Sequence, residues 1–304
     1  MKTLANCRCF LFLHVFEKIY SPVHKIEFAS LSNLFVKRDD LIDPYISGNK
    51  WRKLKYIIHK LLSEQKSHIV TFGGAYSNHL LATAAAASKL NLKSTAFVRG
   101  ETVNNEMLML CKLFGMKLIF TDRESYKNKT GLFNTHFGND ETAYFINEGG
   151  AAAEAIQGCA EIIEELPVAY DHIFCAAGTG TTAAGLLKGI QQNNLKTKLH
   201  IIPVLKGGDF IKDEIEKYVS ISENLVLHAD YHFGGYAKTT PELIEFIKVF
   251  TAHTGLLIDP VYTAKMFFSI IDLQQKNVID ADAKILAVHT GGLLGILGMK
   301  EKFA

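Results

Sequence analysis

Short apolar segments alternate with amphipathic helical patterns along most of the chain, and this alternation restricts the possible folds most strongly. The predicted elements, in chain order, are strand 33–37, helix 50–65, strand 69–72, helix 78–90, strand 94–98, helix 104–114, strand 117–121, helix 148–166, strand 171–177, helix 183–192, strand 200–204, helices 242–254 and 262–275, and strand 284–289. Strands that alternate with helices form parallel sheets covered on both faces, and ligands bind beyond the carboxyl ends of the strands.

Two segments stand outside this alternation. Residues 122–142 are polar and rich in glycine and asparagine, which predicts a surface excursion. The apolar segment 9–16 contains His14 and lacks a small-residue cleavage site, so it is a poor signal peptide and too short to span a bilayer. We expect it to dock on the protein as a strand or helix.

Composition and charge favour a protein that acts on a small molecule. The 304 residues are 48% hydrophobic and 21% charged, which is enough for two domains with sizeable cores. The net charge of +2 contains no block of like charge, so binding to nucleic acid or to a membrane surface is not expected. The cysteines are odd in number and lack CxxC spacing, which argues against disulfides and zinc and fits a reducing cytoplasm: Cys7, Cys9, Cys111, Cys159 and Cys175.

Lys50 lies where a turn leads into a helix. The turn signal Ser47-Gly48-Asn49 is followed directly by an amphipathic pattern, so Lys50 is predicted at the helix start. The helix N-terminus carries a partial positive charge, which favours an amine that is neutral or consumed in a Schiff base. The alternative is a solvated surface lysine.

Two glycine-containing loops follow predicted strands. The loop Gly73-Gly74-Ala75-Tyr76-Ser77-Asn78-His79 precedes a helix whose free N–H groups suit a carboxylate, although ordinary capping by Ser77 and Asn78 explains it equally well. The loop 176–185 combines glycines and hydroxyls at another helix start. It matches neither a Walker A motif nor a dinucleotide fingerprint, so it predicts a seat for a monophosphate or, alternatively, a tightly packed turn.

Three further residues complete the set of candidates. Thr290 follows the last strand and can offer a hydroxyl to a ring nitrogen, while Tyr236 and Tyr262 lie in turns and are otherwise explained as core residues. A lysine that can form an imine, a phosphate seat and a partner for a ring nitrogen together indicate pyridoxal 5'-phosphate.

Four motifs carry a family resemblance: Ser47-Gly48-Asn49-Lys50-Trp51-Arg52-Lys53-Leu54, Gly73-Gly74-Ala75-Tyr76-Ser77-Asn78-His79, Asp259-Pro260-Val261-Tyr262-Thr263 and His289-Thr290-Gly291-Gly292. They resemble, in the same order, the 1-aminocyclopropane-1-carboxylate (ACC) deaminase/D-cysteine desulfhydrase family of fold-type II pyridoxal phosphate enzymes. The resemblance covers about residues 20–300.

The resemblance implies a role for each candidate. Lys50 would be the Schiff-base lysine, Asn78 would bind the cofactor's ring hydroxyl, and Lys53 would add positive charge near the phosphate. Ser77 would hold the substrate carboxylate or move a proton, and Tyr236 and Tyr262 would flank the substrate. The phosphate would lie on the loop residues Gly178, Thr179, Gly180, Thr181 and Thr182, and Thr290 would face the ring nitrogen.

Two positions bear on the substrate. Family members that open the cyclopropane ring tend to carry Glu and Leu where this chain has Thr263 and Thr290, so the pattern resembles the desulfhydrases. The segments 149–155 and 236–238 depart from the family pattern, which leaves open ACC deamination, another amino-acid lyase activity or a non-catalytic protein that binds pyridoxal phosphate. A nucleotide-binding regulatory domain is a further alternative.

The resemblance implies an α/β fold of two three-layer, open-sheet domains like the tryptophan synthase β chain. The smaller domain is expected at residues 52–147, and the larger, cofactor-binding domain at 1–51 with 148–304. The cofactor would lie in the cleft between them. We expect a cytoplasmic homodimer that acts on D-cysteine or a related small amino acid, with no metal.

Overall fold

The computed structural model describes residues 11–12, 14–17, 19–29 and 31–304. The chain divides into two compact units, each described here by itself. The first unit contains the described residues up to Ile19 together with Asp43–Ala155. The second unit contains Tyr20–Ile42, apart from residue 30, and Ile156–Ala304. The predicted domain boundaries after residues 51 and 147 remain predictions.

The described chain contains the following elements. The strands are β1 (Val23–Phe28), β2 (Leu31–Lys37), β3 (His68–Gly74), β4 (Lys93–Arg99), β5 (Lys117–Thr121), β6 (Ala143–Phe145), β7 (His172–Ala177), β8 (Lys198–Pro203), β9 (Leu225–Leu227) and β10 (Ile285–Val288). The α-helices are α1 (Asn49–Ser63), α2 (Asn78–Lys89), α3 (Glu106–Leu113), α4 (Lys129–Phe137), α5 (Ala153–Glu164), α6 (Thr181–Gln192), α7 (Phe210–Glu216), α8 (Pro241–Thr254) and α9 (Thr263–Gln275). Short 3-10 helices lie at Asp39–Leu41, Ser125–Lys127, Glu148–Gly150 and Leu293–Lys302.

The first unit is built on a four-stranded parallel sheet in the order β5-β4-β3-β6. Phe72 and Phe97 stack in its core with their ring centroids 5.0 Å apart. Ala84–Ala87 of α2 are completely buried, since a helix with small side chains can pack closely. The parallel order brings the loop after β3 to the carboxyl edge of the sheet, where ligands bind in such folds.

The second unit is built on a six-stranded sheet in the order β1-β2-β10-β7-β8-β9. All pairs are parallel except β1 with β2. Alternate residues of the central strands face opposite sides, so Phe174 joins a core covered by α8 and α9, whereas Cys175 joins a core covered by α5, α6 and α7. The predicted arrangement of sheets with helices on both faces is therefore confirmed in this unit.

Helices α5 and α6 pack unusually closely within the second unit. A Cβ atom on Gly185 would lie 2.3 Å from the Cβ of Cys159, and one on Gly189 would lie 2.8 Å from Cγ1 of Ile163. Both distances are shorter than van der Waals contact. The two glycines therefore allow α6, which begins at the predicted phosphate loop, to lie against α5.

The structure corrects several local predictions. Segment 122–142 contains helix α4, which the sequence analysis missed because its apolar residues lack a clear period; its Asn128 cap accepts a hydrogen bond from the N–H of Gly131. The helix predicted over 148–166 is split into a 3-10 turn and α5, because Gly149 and Gly150 have positive φ. Strands β1, β6 and β9 and helix α7 were also not predicted.

The apolar segment predicted to dock at 9–16 is described only in part. Residues 11–12 and 14–16 are helical, and the other residues of the segment lie outside the described chain. Phe16 is buried, and its ring centroid lies 5.3 Å from that of Trp51 on α1. Across the described residues, no helix has the length and apolar character needed to cross a membrane.

Candidate active site

In the first unit, Lys50 occupies the second position of α1. The helix begins at Asn49, one residue before the predicted start, so Lys50 lies in its first turn. Gly48 precedes the helix with φ of +60°, a value that glycine adopts readily. Lys50 is half-buried, in contrast to the fully solvated surface lysine of the alternative interpretation.

His79 lies near Lys50 and Lys53 and is almost completely buried. Its Nε2 is 2.8 Å from Oγ1 of Thr71, and that hydroxyl donates its hydrogen to the carbonyl of Ile146. Because the hydroxyl has one hydrogen, Nε2 must donate to Thr71, and Nδ1 then carries a lone pair. Among the described residues, this Nδ1 has no hydrogen-bond partner.

Electrostatics keep His79 neutral. Burial is the largest cause that lowers the pKa of His79 well below its ordinary value, and the charges of Lys50 and Lys53 lower it further. The imidazole therefore presents an unprotonated nitrogen close to two amines. A buried polar atom of this kind costs stability unless a ligand or a neighbouring group uses it.

The turn Glu148–Gly150 packs against the same group of side chains. Lys53 is buried, and its Nζ donates a hydrogen bond to the carbonyl of Gly149 at 3.1 Å. A Cβ on Gly150 would lie 3.4 Å from Cε1 of His79 and 3.5 Å from Cδ of Lys53. The charge of Lys53 is therefore anchored to this turn, and its predicted role beside the phosphate remains a prediction.

Ser77 and Asn78 lie at the start of α2, after the glycines that end β3. A Cβ on Gly73 would lie only 2.8 Å from Oγ of Ser77, so glycine is needed for Ser77 to fold back over the strand end. Ser77 occupies the N-cap position, but its side chain makes no capping hydrogen bond to described residues. The alternative explanation, ordinary capping by the Ser77 side chain, is therefore wrong, and the predicted contact of Ser77 with a substrate carboxylate remains a prediction.

In the second unit, the predicted phosphate loop joins β7 to α6. The helix begins at Thr181, two residues earlier than predicted, and its N-cap is Gly180 with φ of +73°. Because Gly180 has no side-chain oxygen, it cannot cap the N–H groups of the first turn, which suit an anion. Oγ1 of Thr179 lies 3.4 Å from Oγ1 of Thr181, and Thr182 is buried beside them.

Tyr262 packs against this loop at Gly178. A Cβ at Gly178 would lie 3.2 Å from Cε1 and 3.3 Å from Oη of Tyr262. Tyr236 is about half exposed, and its ring centroid lies 6.1 Å from that of Tyr262 in an edge-on arrangement. The second unit therefore brings the phosphate loop and both predicted substrate tyrosines together.

The carboxylate of Asp259 fixes the start of α9. Its Oδ2 accepts from the N–H groups of Val261 and Tyr262, and its Oδ1 accepts from the N–H and the hydroxyl of Thr263. Thr263 is completely buried. Its hydroxyl is thus committed to Asp259, a role that the sequence analysis missed although the Asp-Pro pair at a helix start is a usual capping signal.

Thr290 follows β10, which pairs with β7 in parallel. The side chain is 7% exposed. Since the carboxyl ends of neighbouring parallel strands lie at the same edge, Thr290 and the loop after β7 share one edge of the six-stranded sheet. Its predicted contact with a ring nitrogen remains a prediction.

The residues of both units fit pyridoxal 5'-phosphate. The first unit offers a half-buried lysine near an unprotonated buried imidazole nitrogen. The second offers a glycine-capped helix start with three threonine hydroxyls and a tyrosine ring over the glycine loop. The fold and these side chains define an α/β enzyme of the pyridoxal phosphate class.

Comparison with known proteins supports that class. The chain belongs to the family described as "Pyridoxal-phosphate dependent enzyme", whose sequence profile matches residues 18–291. The "Putative 1-aminocyclopropane-1-carboxylate deaminase" of Thermotoga maritima is 32% identical over 292 residues, which cover 89% of this chain and 92% of that protein.

Two further comparisons point to the same group within the family. The mitochondrial "Bifunctional D-cysteine desulfhydrase/1-aminocyclopropane-1-carboxylate deaminase" of Arabidopsis thaliana is 29% identical, over 93% of this chain and 79% of that protein. A solved structure described as an ACC deaminase homologue superposes with a TM-score of 0.78 at 28% identity, over 96% of this chain and 97% of that one. The resemblance to the ACC deaminase/D-cysteine desulfhydrase family is confirmed, as is the fold class.

Proposed function

We propose that this enzyme is a lyase that converts D-cysteine and water into pyruvate, hydrogen sulfide and ammonia. The observation that supports D-cysteine as the substrate is the presence of two buried threonines, Thr263 and Thr290. The family resemblance associates glutamate and leucine at these positions with opening of the cyclopropane ring. Here the Thr263 hydroxyl is bonded to Asp259, so position 263 supplies no carboxylate.

Thr290 favours a substrate with a good leaving group. Its hydroxyl would hydrogen-bond to the ring nitrogen without transferring a proton to it. When bound, pyridoxal phosphate supplies an electron sink for charge at the substrate α-carbon, and an unprotonated ring nitrogen makes that sink milder. A milder sink suffices for loss of a thiolate, whereas the cyclopropane ring offers no such leaving group.

The first unit would provide the covalent anchor and the base. Nζ of Lys50 would hold the cofactor and, once displaced by the substrate amine, would accept the α-proton, a role that Oγ of Ser77 could also fill. Ser77 and the N–H groups at the start of α2 would bind the substrate carboxylate. Asn78, the first residue of that helix, would bind the ring hydroxyl of the cofactor.

The second unit would provide the phosphate seat and the substrate tyrosines. The N–H groups and hydroxyls of residues 178–182 would bind the phosphate, with Lys53 of the first unit adding positive charge. The hydroxyls of Tyr236 and Tyr262 would flank the substrate and assist proton transfer. We further propose a cytoplasmic homodimer, and light scattering of the purified protein would test the number of chains.

ACC deamination is the second candidate function. The relatives named above for this activity favour it, and one of them carries both activities in its name. The reaction would convert ACC and water into 2-oxobutanoate and ammonia. The same lysine and phosphate seat would serve both reactions, so the two functions differ only in what the substrate side must accommodate.

Assays of keto-acid release separate the two candidates. Purified protein is incubated with D-cysteine, L-cysteine or ACC, and pyruvate, 2-oxobutanoate and sulfide are measured. We expect the highest kcat/KM with D-cysteine. Turnover of ACC alone would overturn the preference for D-cysteine, and turnover of none of the three would favour a protein that binds pyridoxal phosphate without catalysis.

Lys50→Ala tests the role of the lysine directly. We expect loss of the visible absorbance of the bound cofactor and a fall in turnover on the order of 10³-fold or more, since the covalent anchor and a base are removed together. Lys55→Ala is the matched control, because Lys55 lies on the same helix and packs over the ring of Tyr56. If borohydride fixed the cofactor to a lysine other than Lys50, the assignment would be wrong.

A further inference from the structure

Lys265 is a completely buried lysine in the first turn of α9. Its Nζ donates hydrogen bonds to three backbone carbonyls, at 3.3 Å to Val204, 2.8 Å to His232 and 2.8 Å to Gly235. An ammonium group has three N–H donors, and each has an acceptor here. Burial lowers the pKa of Lys265 to about 8, an effect that the charge of Asp259 opposes, so the charged form predominates at neutral pH.

Two of these carbonyls belong to a segment with unusual backbone conformation. Phe233, Gly234, Gly235 and Ala237 have φ of +49°, +90°, +116° and +55°. Phe233 and Ala237 are not glycines, so their left-handed conformations are strained unless surrounding contacts determine them. Within the segment, the N–H of Gly235 donates to the carbonyl of His232, and the N–H of Lys238 donates to the carbonyl of Gly235.

This strained segment presents Tyr236. The tyrosine lies between Gly235 and Ala237 and is about half exposed, so its position follows the backbone conformation of this segment. Tyr262 directly precedes α9, three residues before Lys265, and its ring lies edge-on to that of Tyr236. Lys265 is therefore connected to both tyrosines, to Tyr262 through the helix backbone and to Tyr236 through the carbonyls of His232 and Gly235.

We propose that Lys265 is a positioning residue that fixes Tyr236 relative to Tyr262 by holding the 232–237 segment in its left-handed conformation. This role rests on the proposed function, in which the two tyrosines flank the substrate. Lys265 itself donates all three of its N–H groups to the backbone and takes no part in proton transfer. Only a long, charged side chain can reach and bond three carbonyls at once, so no uncharged residue reproduces the arrangement.

Hydrogen exchange tests the structural half of the proposal. Lys265→Met keeps the length but removes every donor, whereas Lys265→Gln retains two donors without the charge. We expect amide exchange in peptides covering 232–238 to be fastest in Lys265→Met, intermediate in Lys265→Gln and slowest in the wild type, with a difference of roughly tenfold or more between the extremes.

Lys37→Met is the matched control. Lys37 is another buried lysine of the second unit, with Nζ bonded to the carbonyl of Ser21 and to Glu165. The variant Lys37→Met also loses a buried, hydrogen-bonded lysine, but its amide exchange at 232–238 should equal that of the wild type. If Lys265→Met fails to fold, Lys265→Gln against Lys37→Met decides the question. Equal exchange at 232–238 in all folded variants would overturn the proposal.

Steady-state kinetics test the catalytic half. With the substrate that the wild type turns over best, we expect Lys265→Gln to keep the visible absorbance of the cofactor while kcat/KM falls roughly 10- to 100-fold, because a substrate-contacting group is displaced. Normal kcat/KM despite faster exchange would refute the catalytic role. The exchange ranking needs no substrate, so failure of the proposed function would leave that half testable.

Discussion

His79 in the first unit and His200 in the second are both deeply buried, yet within the described chain His200 has partners at both ring nitrogens and His79 at one. Its Nε2 lies 2.8 Å from Nδ1 of His172, and its Nδ1 lies 2.8 Å from Nε2 of His228. The ring of His200 also stacks on Phe174 with the centroids 4.4 Å apart. The central histidine of this row of three is thus fully hydrogen-bonded by its neighbours, which gives the row a structural role.

The polar environment of His79 is different. One nitrogen is held by Thr71, and the other has no partner within the described chain although Lys50 and Lys53 lie near it. The hydrogen-bonding capacity of His200 is therefore complete, whereas that of His79, near the predicted catalytic lysine, is not. An unpaired buried nitrogen costs stability, which indicates that His79 is retained for function.

The largest effect that we expect is a loss of folding stability at acid pH, which tests whether the buried histidines are neutral. Burial is the largest cause that lowers the pKa of His79, His172, His200 and His228, and for His200 the value falls to about 3. The unfolded chain therefore binds protons more strongly below about pH 6.5. We expect the free energy of unfolding in urea to fall by on the order of 5 kcal/mol between pH 7 and pH 4. A flat profile would contradict the buried neutral row.

His200→Leu should have the next largest effect. It removes a partner from both His172 and His228, and each unpaired buried nitrogen costs stability, so we expect a loss of about 3 kcal/mol in urea unfolding at pH 7. Turnover per folded molecule should be unchanged. His253→Leu is the control, since that exposed histidine is hydrogen-bonded to the carbonyl of Val249 in its own helix and lies outside the row of three histidines. Impaired turnover in folded His200→Leu would contradict a purely structural role for the row of histidines that contains His200.

His79→Leu should have the smallest effect on stability. It removes one hydrogen bond to Thr71 but also removes the unpaired Nδ1, so the free energy of unfolding should change by less than about 1 kcal/mol. We expect turnover to fall roughly tenfold, because the lone pair near Lys50 is lost. The comparison fails if this variant loses as much stability as His200→Leu while its turnover stays normal.

The sequence identifies features that depend on local pattern. A turn signal followed by an amphipathic repeat places Lys50 at a helix start, and the structure begins α1 one residue earlier. Glycines after strands mark the loops before α2 and α6 for the same reason, because strand ends and helix caps have local signatures. These two loops contain most of the residues proposed to bind the cofactor.

Features that depend on contacts between distant residues were not predicted. His200 lies 28 positions after His172 and 28 positions before His228. This spacing corresponds to the step from one strand to the next, but only the pairing of the strands decides whether the three side chains meet. The hydrogen bond from Lys265 to the carbonyl of Val204 joins residues 61 positions apart, and no local sequence pattern marks that lysine as buried. Helix α4 escaped prediction because its capping and its few aromatic contacts, rather than a regular apolar repeat, determine it.

The close approach of α5 and α6 has a consequence for how the chain can change over evolutionary time. A single methyl group at Gly185 would meet Cys159 at 2.3 Å, and one at Gly189 would meet Ile163. Either would push α6 away from α5 and displace the helix start that is predicted to bind the phosphate. Evolutionary substitution at these two positions is therefore restricted to glycine, because any side chain would collide with α5.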